Sequence, residues 1–252
     1  MSLWALADLH LSFSVPEKSM ELFGPLWKGY AQKIERNWKA HVQADDLVLI
    51  AGDICWAVRF EEALVDLAWI DALPGTKALI RGNHDYWWDS KKKMRSVLPP
   101  SIRIIDKDAL FWNGIAIGGA RLWDSEEYHF DELIHFQENP HARVRTLEER
   151  EQKKERDERL FNRELDRLRL SLQQLDRTAK RRIALTHYPP IGNDLKPSLA
   201  AGILEEFRID VCLFGHLHNL KKEMPLFGEA RGVRYALTSC DYLDFTPLKI
   251  KI

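Results

Sequence analysis

Ala78-Leu79-Ile80-Arg81-Gly82-Asn83-His84-Asp85 runs from a short apolar stretch into a glycine and three different polar side chains. The same grammar recurs along the chain. Leu3–Ala7 leads into Asp8-Leu9-His10, Leu47–Ala51 into Gly52-Asp53, Ile183–Leu185 towards His187, and Val211–Phe214 into Gly215-His216-Leu217-His218. Short, continuous apolar runs followed by turn residues suit strands covered on both faces. Ile115–Ile117 and a late Tyr235–Thr238 fit that reading too. Between them, Phe60–Leu73 has Leu64, Leu67 and Ala68 on one helical face and is stopped by Pro74-Gly75. Strands alternating with helices predict an α/β fold. In open α/β sheets ligand sites gather beyond the carboxyl ends of the strands, where all five polar groups fall.

The residue types suit metal ions. Aspartate offers anionic oxygen, histidine a neutral ring nitrogen and asparagine a carbonyl oxygen. With no thiolate in the set, a structural zinc cage is disfavoured and a hydrolytic Mn, Fe or Zn site is expected. Asp8, His10, Asp53, Asn83, His187, His216 and His218 are seven candidate ligands. Seven are too many for one ion but suit two ions sharing a bridging carboxylate, roughly 3.5–4 Å apart, an arrangement that serves phosphoryl transfer. The glycines before Asp53, Asn83 and His216 permit tight turns and close backbone approach.

The ordered set D-x-H, G-D, G-N-H-D, H and G-H-x-H resembles the calcineurin-like metallophosphoesterase superfamily from near the N-terminus to past residue 218. The resemblance implies a four-layer α/β/β/α sandwich of two mixed sheets, with a dinuclear metal site at the sheet edge. It implies one ion on Asp8, His10 and His218, a second on Asn83, His187 and His216, and Asp53 as bridge. Manganese is the favoured metal. His84 is then a catalytic residue rather than a ligand, protonating the leaving oxygen or stabilising its charge while a metal-bound hydroxide attacks phosphorus in line. One departure narrows the branch. Protein Ser/Thr phosphatases read G-D-x-V-D-R-G, whereas this chain reads Gly52-Asp53-Ile54-Cys55-Trp56-Ala57-Val58-Arg59, with Trp56 where the acid pairing the catalytic histidine would stand. Asp85 is the remaining candidate to orient His84.

The rest of the sequence sets bounds. With 252 residues, 45% hydrophobic and 30% charged, the chain is expected to form one domain, 1–252, carrying a charged helical insert at about 125–182. Within it, Phe161, Leu165, Leu168, Leu172 and Leu175 form one apolar helical stripe, read as packing on the sheet, with a lid or dimerisation arm as the alternative. A formal net charge of −1 gives no field to attract nucleic acid, so nucleic acid is not expected as a partner, and a nuclease ranks below a small-molecule phosphoesterase. A non-catalytic scaffold is disfavoured because no ligand is missing and His84 is present. No run of roughly 18–20 apolar residues predicts a membrane span. Three scattered cysteines and a start without a basic signal region point to the cytoplasm. Cys55 is read as a small buried residue. The expected partner is a phosphate-ester small molecule, nucleotides included. Trp56, Trp87, Trp88 and Trp123 are either packing or a wall that stacks a planar group. Arg59 and Arg81 are read as surface or capping residues before phosphate ligands, and Lys91-Lys92-Lys93 with Arg95 as a solvated helix face before a phosphate-steering patch.

Overall fold

The computed structural model describes residues 1–135, 146–221 and 226–251. Two mixed sheets face each other. The first has the order β11(Leu248–Lys249)-β1(Leu3–Ala5)-β2(Leu47–Ile50)-β3(Thr76–Leu79)-β4(Ile102–Ile104). The second has the order β5(Ala109–Trp112)-β6(Ile115–Ala120)-β7(Arg181–Thr186)-β8(Val211–Phe214)-β10(Val233–Leu237)-β9(Gly228–Ala230). The central pairs β1–β2, β2–β3, β6–β7 and β7–β8 are parallel, while β11, β5 and β9 are antiparallel edges.

The period of two along a strand builds the layers. Leu3, Ala5, Leu47, Leu49 and Ala78 meet Ile115, Ile117, Ile183, Leu185, Val211 and Leu213 in a core between the sheets. Their neighbours Trp4, Val48, Ile50 and Leu79 face outward, under helices α1 (Tyr30–His41), α2 (Phe60–Asp71) and α3 (Lys91–Val97). On the far side Ala116, Ala184, Cys212 and Phe214 are covered by α4 (Leu147–Leu172) and α5 (Leu199–Glu206). The result is the expected α/β/β/α sandwich. Helix α1 buries Tyr30, Ala31, Ile34 and Trp38, a three-to-four spacing that lays one stripe on the sheet.

The charged segment at 125–182 resolves into distinct parts. Residues 136–145 lie outside the described residues, and Arg181 and Arg182 already belong to β7. The rest is dominated by α4, opened by a capping box between Thr146 and Glu149. Phe161, Leu165, Leu168 and Leu172 pack on the second sheet, and Leu175 joins them from beyond the helix. The charged Glu148–Arg159 half is largely exposed and is tied back where Trp123 donates its indole N–H to Asp157 at 3.1 Å.

Candidate metal centre

The loops after β1 and β2 are laced together by their backbones. Asp8 N–H donates to Gly52 O and His10 N–H to Asp53 O, each at 3.0 Å. From the second sheet, His216 N–H donates to both Asp8 carboxylate oxygens at 3.1 and 3.0 Å. Asp8, His10, Asp53 and His216 all hold left-handed φ values of 59°, 45°, 52° and 73°. Such conformations cost about 1–3 kcal/mol each and collect at functional sites. A Cβ on Gly82 would collide with the Asp53 carboxylate, and one on Gly215 with that of Asp8, so both turns require glycine.

These turns bring all seven candidate ligands together. Asp53 Oδ1 accepts from His84 N–H at 2.8 Å. Its Oδ2 lies 3.6 Å from His10 Nε2 and 3.5 Å from His187 Nε2, midway between the two histidine groups. Donor atoms of Asp8, His10 and His218 lie within 4.8 Å of one another, and so do those of Asp8, Asp53 and His187. His10 Nε2 and His218 Nε2 face each other at 3.1 Å. Asn83 Oδ1 lies 2.6 Å from His187 Nε2 and 3.0 Å from His216 Nδ1.

The donor chemistry fits cations. His187 Nδ1–H donates to Ala51 O at 2.9 Å. Burial pushes the His187 pKa down to about 3, so the ring is neutral and Nε2 holds a lone pair. That lone pair confronts the Asn83 carbonyl oxygen, and a shared cation reconciles two acceptors so close. Burial also raises Asp8, to about 7, with His218 opposing, and raises Asp53, with His84 opposing. No lysine or arginine pairs with either carboxylate among the described residues. His10 and His216 are held well below the ordinary imidazole value, again chiefly by burial. Carboxylates, the neutral imidazoles of His10, His187 and His216, and one amide oxygen form a donor set that could hold divalent cations.

His84 lies against the centre without joining the ligand clusters. Its pKa is lowered, burial first, with Asp53 pulling the other way. Asp85 does not orient it. The Asp85 carboxylate is consumed by N–H groups of Gly82 (2.7 Å), Ile54 (2.9 Å), Cys55 (3.3 Å) and the Trp87 indole (3.1 Å), stapling the β2 and β3 loops. His84 Nδ1 is buried without a partner. Trp56 fixes the ring instead by packing, 4.3 Å between ring centres, and stacks on His10 at 5.1 Å.

The sequence reading overlooked several neighbours. Asp241 Oδ1 accepts from His218 Nδ1–H at 2.9 Å and raises that histidine to about 9 against burial. It follows β10, so the rule that found the other groups reaches it as well. Tyr188 lies over His216 at 4.0 Å, and Trp27 meets His218 edge-on at 5.6 Å. Other candidates sit elsewhere. Arg59 opens α2 and Arg81 donates to Asp85 O. Lys91 and Arg95 pair with Asp108, and Lys93 with Glu61 and Asp89. Trp87 and Trp88 pack in the first outer core, and Cys55 is fully buried there.

The calcineurin-like phosphoesterase profile matches residues 1–220. The chain belongs to that family. As a calcineurin-like phosphoesterase it is a hydrolase of phosphoester bonds, and the Asp/His clusters accord with the family's use of divalent metals. Two solved structures are similar to it at low identity. The phosphopantetheinyl hydrolase of Mycobacterium tuberculosis is 17% identical, with a TM-score of 0.54 over 99% of this chain and 95% of that one. A protein of unknown function from Aquifex aeolicus, AQ665, is 16% identical, with a TM-score of 0.47 over 98% and 95%. No curated protein matches the sequence. No helix among the described residues is long and apolar enough to cross a membrane.

Proposed function

We propose that the chain hydrolyses small phosphate mono- or diesters with two divalent ions, manganese first among the candidates, in the cytoplasm. The observation that carries this reading is Asp53 Oδ2, nearly equidistant from His10 Nε2 and His187 Nε2. Asp8, His10 and His218 would hold one ion and Asn83, His187 and His216 the other, with Asp53 shared. Bound there, the ions would supply Lewis-acid activation of water and neutralise charge on the phosphoryl oxygens.

The chain's own residues do the rest. Asp241 fixes the His218 ring and Ala51 O fixes that of His187, so each presents its other nitrogen to the pit. Trp56 walls off solvent on one side of His84. At rest burial keeps His84 neutral, but an arriving phosphate anion favours the imidazolium, ready to give its proton to the leaving oxygen.

The test is metal counting together with turnover. Protein stripped by chelation and reloaded with Mn, Fe or Zn should carry about two ions per chain and hydrolyse aryl phosphate mono- or diesters. Fewer than about one ion per chain, or no hydrolysis across monoester, diester and nucleotide substrates, would sink the proposal.

A further inference from the structure

A cavity of about 500 Å³ opens on the centre and is bounded at its inner end by His10, His84 and His218. Its size falls within the range of small-molecule pockets, roughly 300–1,000 Å³. The outer wall is Met20, Phe23, Pro25, Leu26, Trp27 and Trp56. Most of that wall comes from two short 3-10 turns, Met20–Phe23 and Pro25–Trp27, between β1 and α1.

The wall is built rather than loose. Met20 and Trp27 are buried anchors, and Trp27 packs edge-on against Tyr30 and Phe245. Glu21 accepts from Gly29 N–H at 2.9 Å, and Lys33 Nζ donates to Leu26 O at 2.8 Å. Nevertheless Leu22, Phe23 and Leu26 stand 75%, 58% and 43% exposed within five residues. An apolar patch kept exposed on an anchored segment marks a binding surface. Among the described residues no lysine or arginine lines the cavity, and the one carboxylate there, Asp241, is already bonded to His218 and to Asn219 N–H. A polyanion would find no lysine or arginine to pair with there.

A second cavity of about 430 Å³ reaches the opposite side of the centre at His216 and Tyr188. It carries Asp124, Asp131, Asp157, Arg150, Lys153 and Lys154, and His84 does not border it. Because His84 faces the apolar cavity, the leaving oxygen and whatever it carries belong on that side.

We propose that the cavity walled by Phe23, Leu26, Trp27 and Trp56 holds the alcohol part of the substrate, and that this alcohol is an uncharged apolar group, alkyl or aryl. The assignment rests on the phosphoesterase reading above, but the cavity's preference can be measured without turnover.

The experiment uses the Mn-loaded chain with methyl, butyl, hexyl and glycerol phosphates, alongside methyl- and hexylphosphonate as non-hydrolysable ligands read by calorimetry. Each methylene entering an apolar cavity is worth up to about fourfold, so hexyl over methyl should favour hexyl by at least ~10-fold in both kcat/KM and affinity. Glycerol phosphate should fall below butyl phosphate. Leu26→Ser and, separately, Phe23→Ser should lower the hexyl-to-methyl ratio by about three- to tenfold. A flat alkyl series, or glycerol phosphate ahead of butyl, overturns the cavity assignment and leaves the phosphoesterase reading intact. Tight hexylphosphonate binding with no ester hydrolysed does the opposite: it keeps the apolar site and sinks the reaction.

Discussion

On the Asp8 side of the centre, His218 is clamped by Asp241 at 2.9 Å and held up to about 9, so its Nε2–H can donate to the lone pair of His10 Nε2 at 3.1 Å. On the Asn83 side, His187 is held down to about 3 and its Nε2 faces Asn83 Oδ1 with no proton between them. Two carboxylates, Asp8 and Asp241, bias the first side towards a proton. The second has only neutral donors apart from the shared Asp53. The two sides therefore resemble each other in ligand count and differ in what an incoming ion displaces.

That difference gives the largest expected effect. A metal ion needs its ligands deprotonated. On the Asp8 side at pH 6, both His218 (about 9) and Asp8 (about 7) carry protons that must leave. Affinity there should climb ~100-fold per pH unit below about 7, ~10-fold per unit from there to about 9, and then level off. From pH 6 to 8 the gain is about 1,000-fold. On the Asn83 side His187 and His216 are already neutral, so neither has a proton to lose. Calorimetry in buffers of different ionisation enthalpy should resolve one binding event that expels about two more protons at pH 6 than the other. Equal proton release from the two events would abolish the contrast.

Next in size are two substitutions that separate holding metal from moving protons. Asp53→Asn removes the group common to both sides and should cut turnover at least ~100-fold while emptying both. If only one ion is lost, the carboxylate belongs to that side alone. His84→Ala should cut turnover by about 100-fold with metal content unchanged, since His84 is not among the seven candidate ligands. An unchanged rate at saturating metal would remove His84 from the chemistry.

The centre was legible because each candidate ligand lies within a few residues of a strand end, so motif and position coincide in the sequence. Asp8 and His10 follow β1, Asp53 β2, Asn83 β3, His187 β7, and His216 and His218 β8. Asp241 obeys the same rule after β10 but stands in no multi-residue motif, and only folding sets it 2.9 Å from His218. The edge strands escaped notice for a different reason. Continuous apolar runs identify strands covered on both faces, whereas Ile102–Ile104 alternates buried and exposed, and Gly228–Ala230 is nowhere fully buried. The apolar cavity wall was least legible. Two single 3-10 turns have neither a period of 2 nor of 3.6, and Trp27 owes its place to Tyr30 and Phe245, the latter more than 200 residues away in the chain. Trp56 was visible as a departure from the protein phosphatases, but its packing on His84 and His10 was not.

The smallest effect sharpens the comparison most. Asp241→Asn keeps an acceptor for His218 but removes the charge that raises its pKa. At about pH 10 and above, where His218 is largely neutral in the native protein, only positioning is lost, and outer partners of metal-bound histidines are worth about 10–100-fold in affinity. Near pH 7 the native site also has to expel a proton from His218, whereas the variant, with its lower pKa, largely does not. The deficit of the variant should therefore shrink as pH falls and vanish near pH 7, where expelling that proton costs the native site about 100-fold. Metal titrations at pH 7 and 10 measure this directly. A deficit that is constant with pH means that Asp241 acts by geometry alone and that the Asp8 side is not held by a proton.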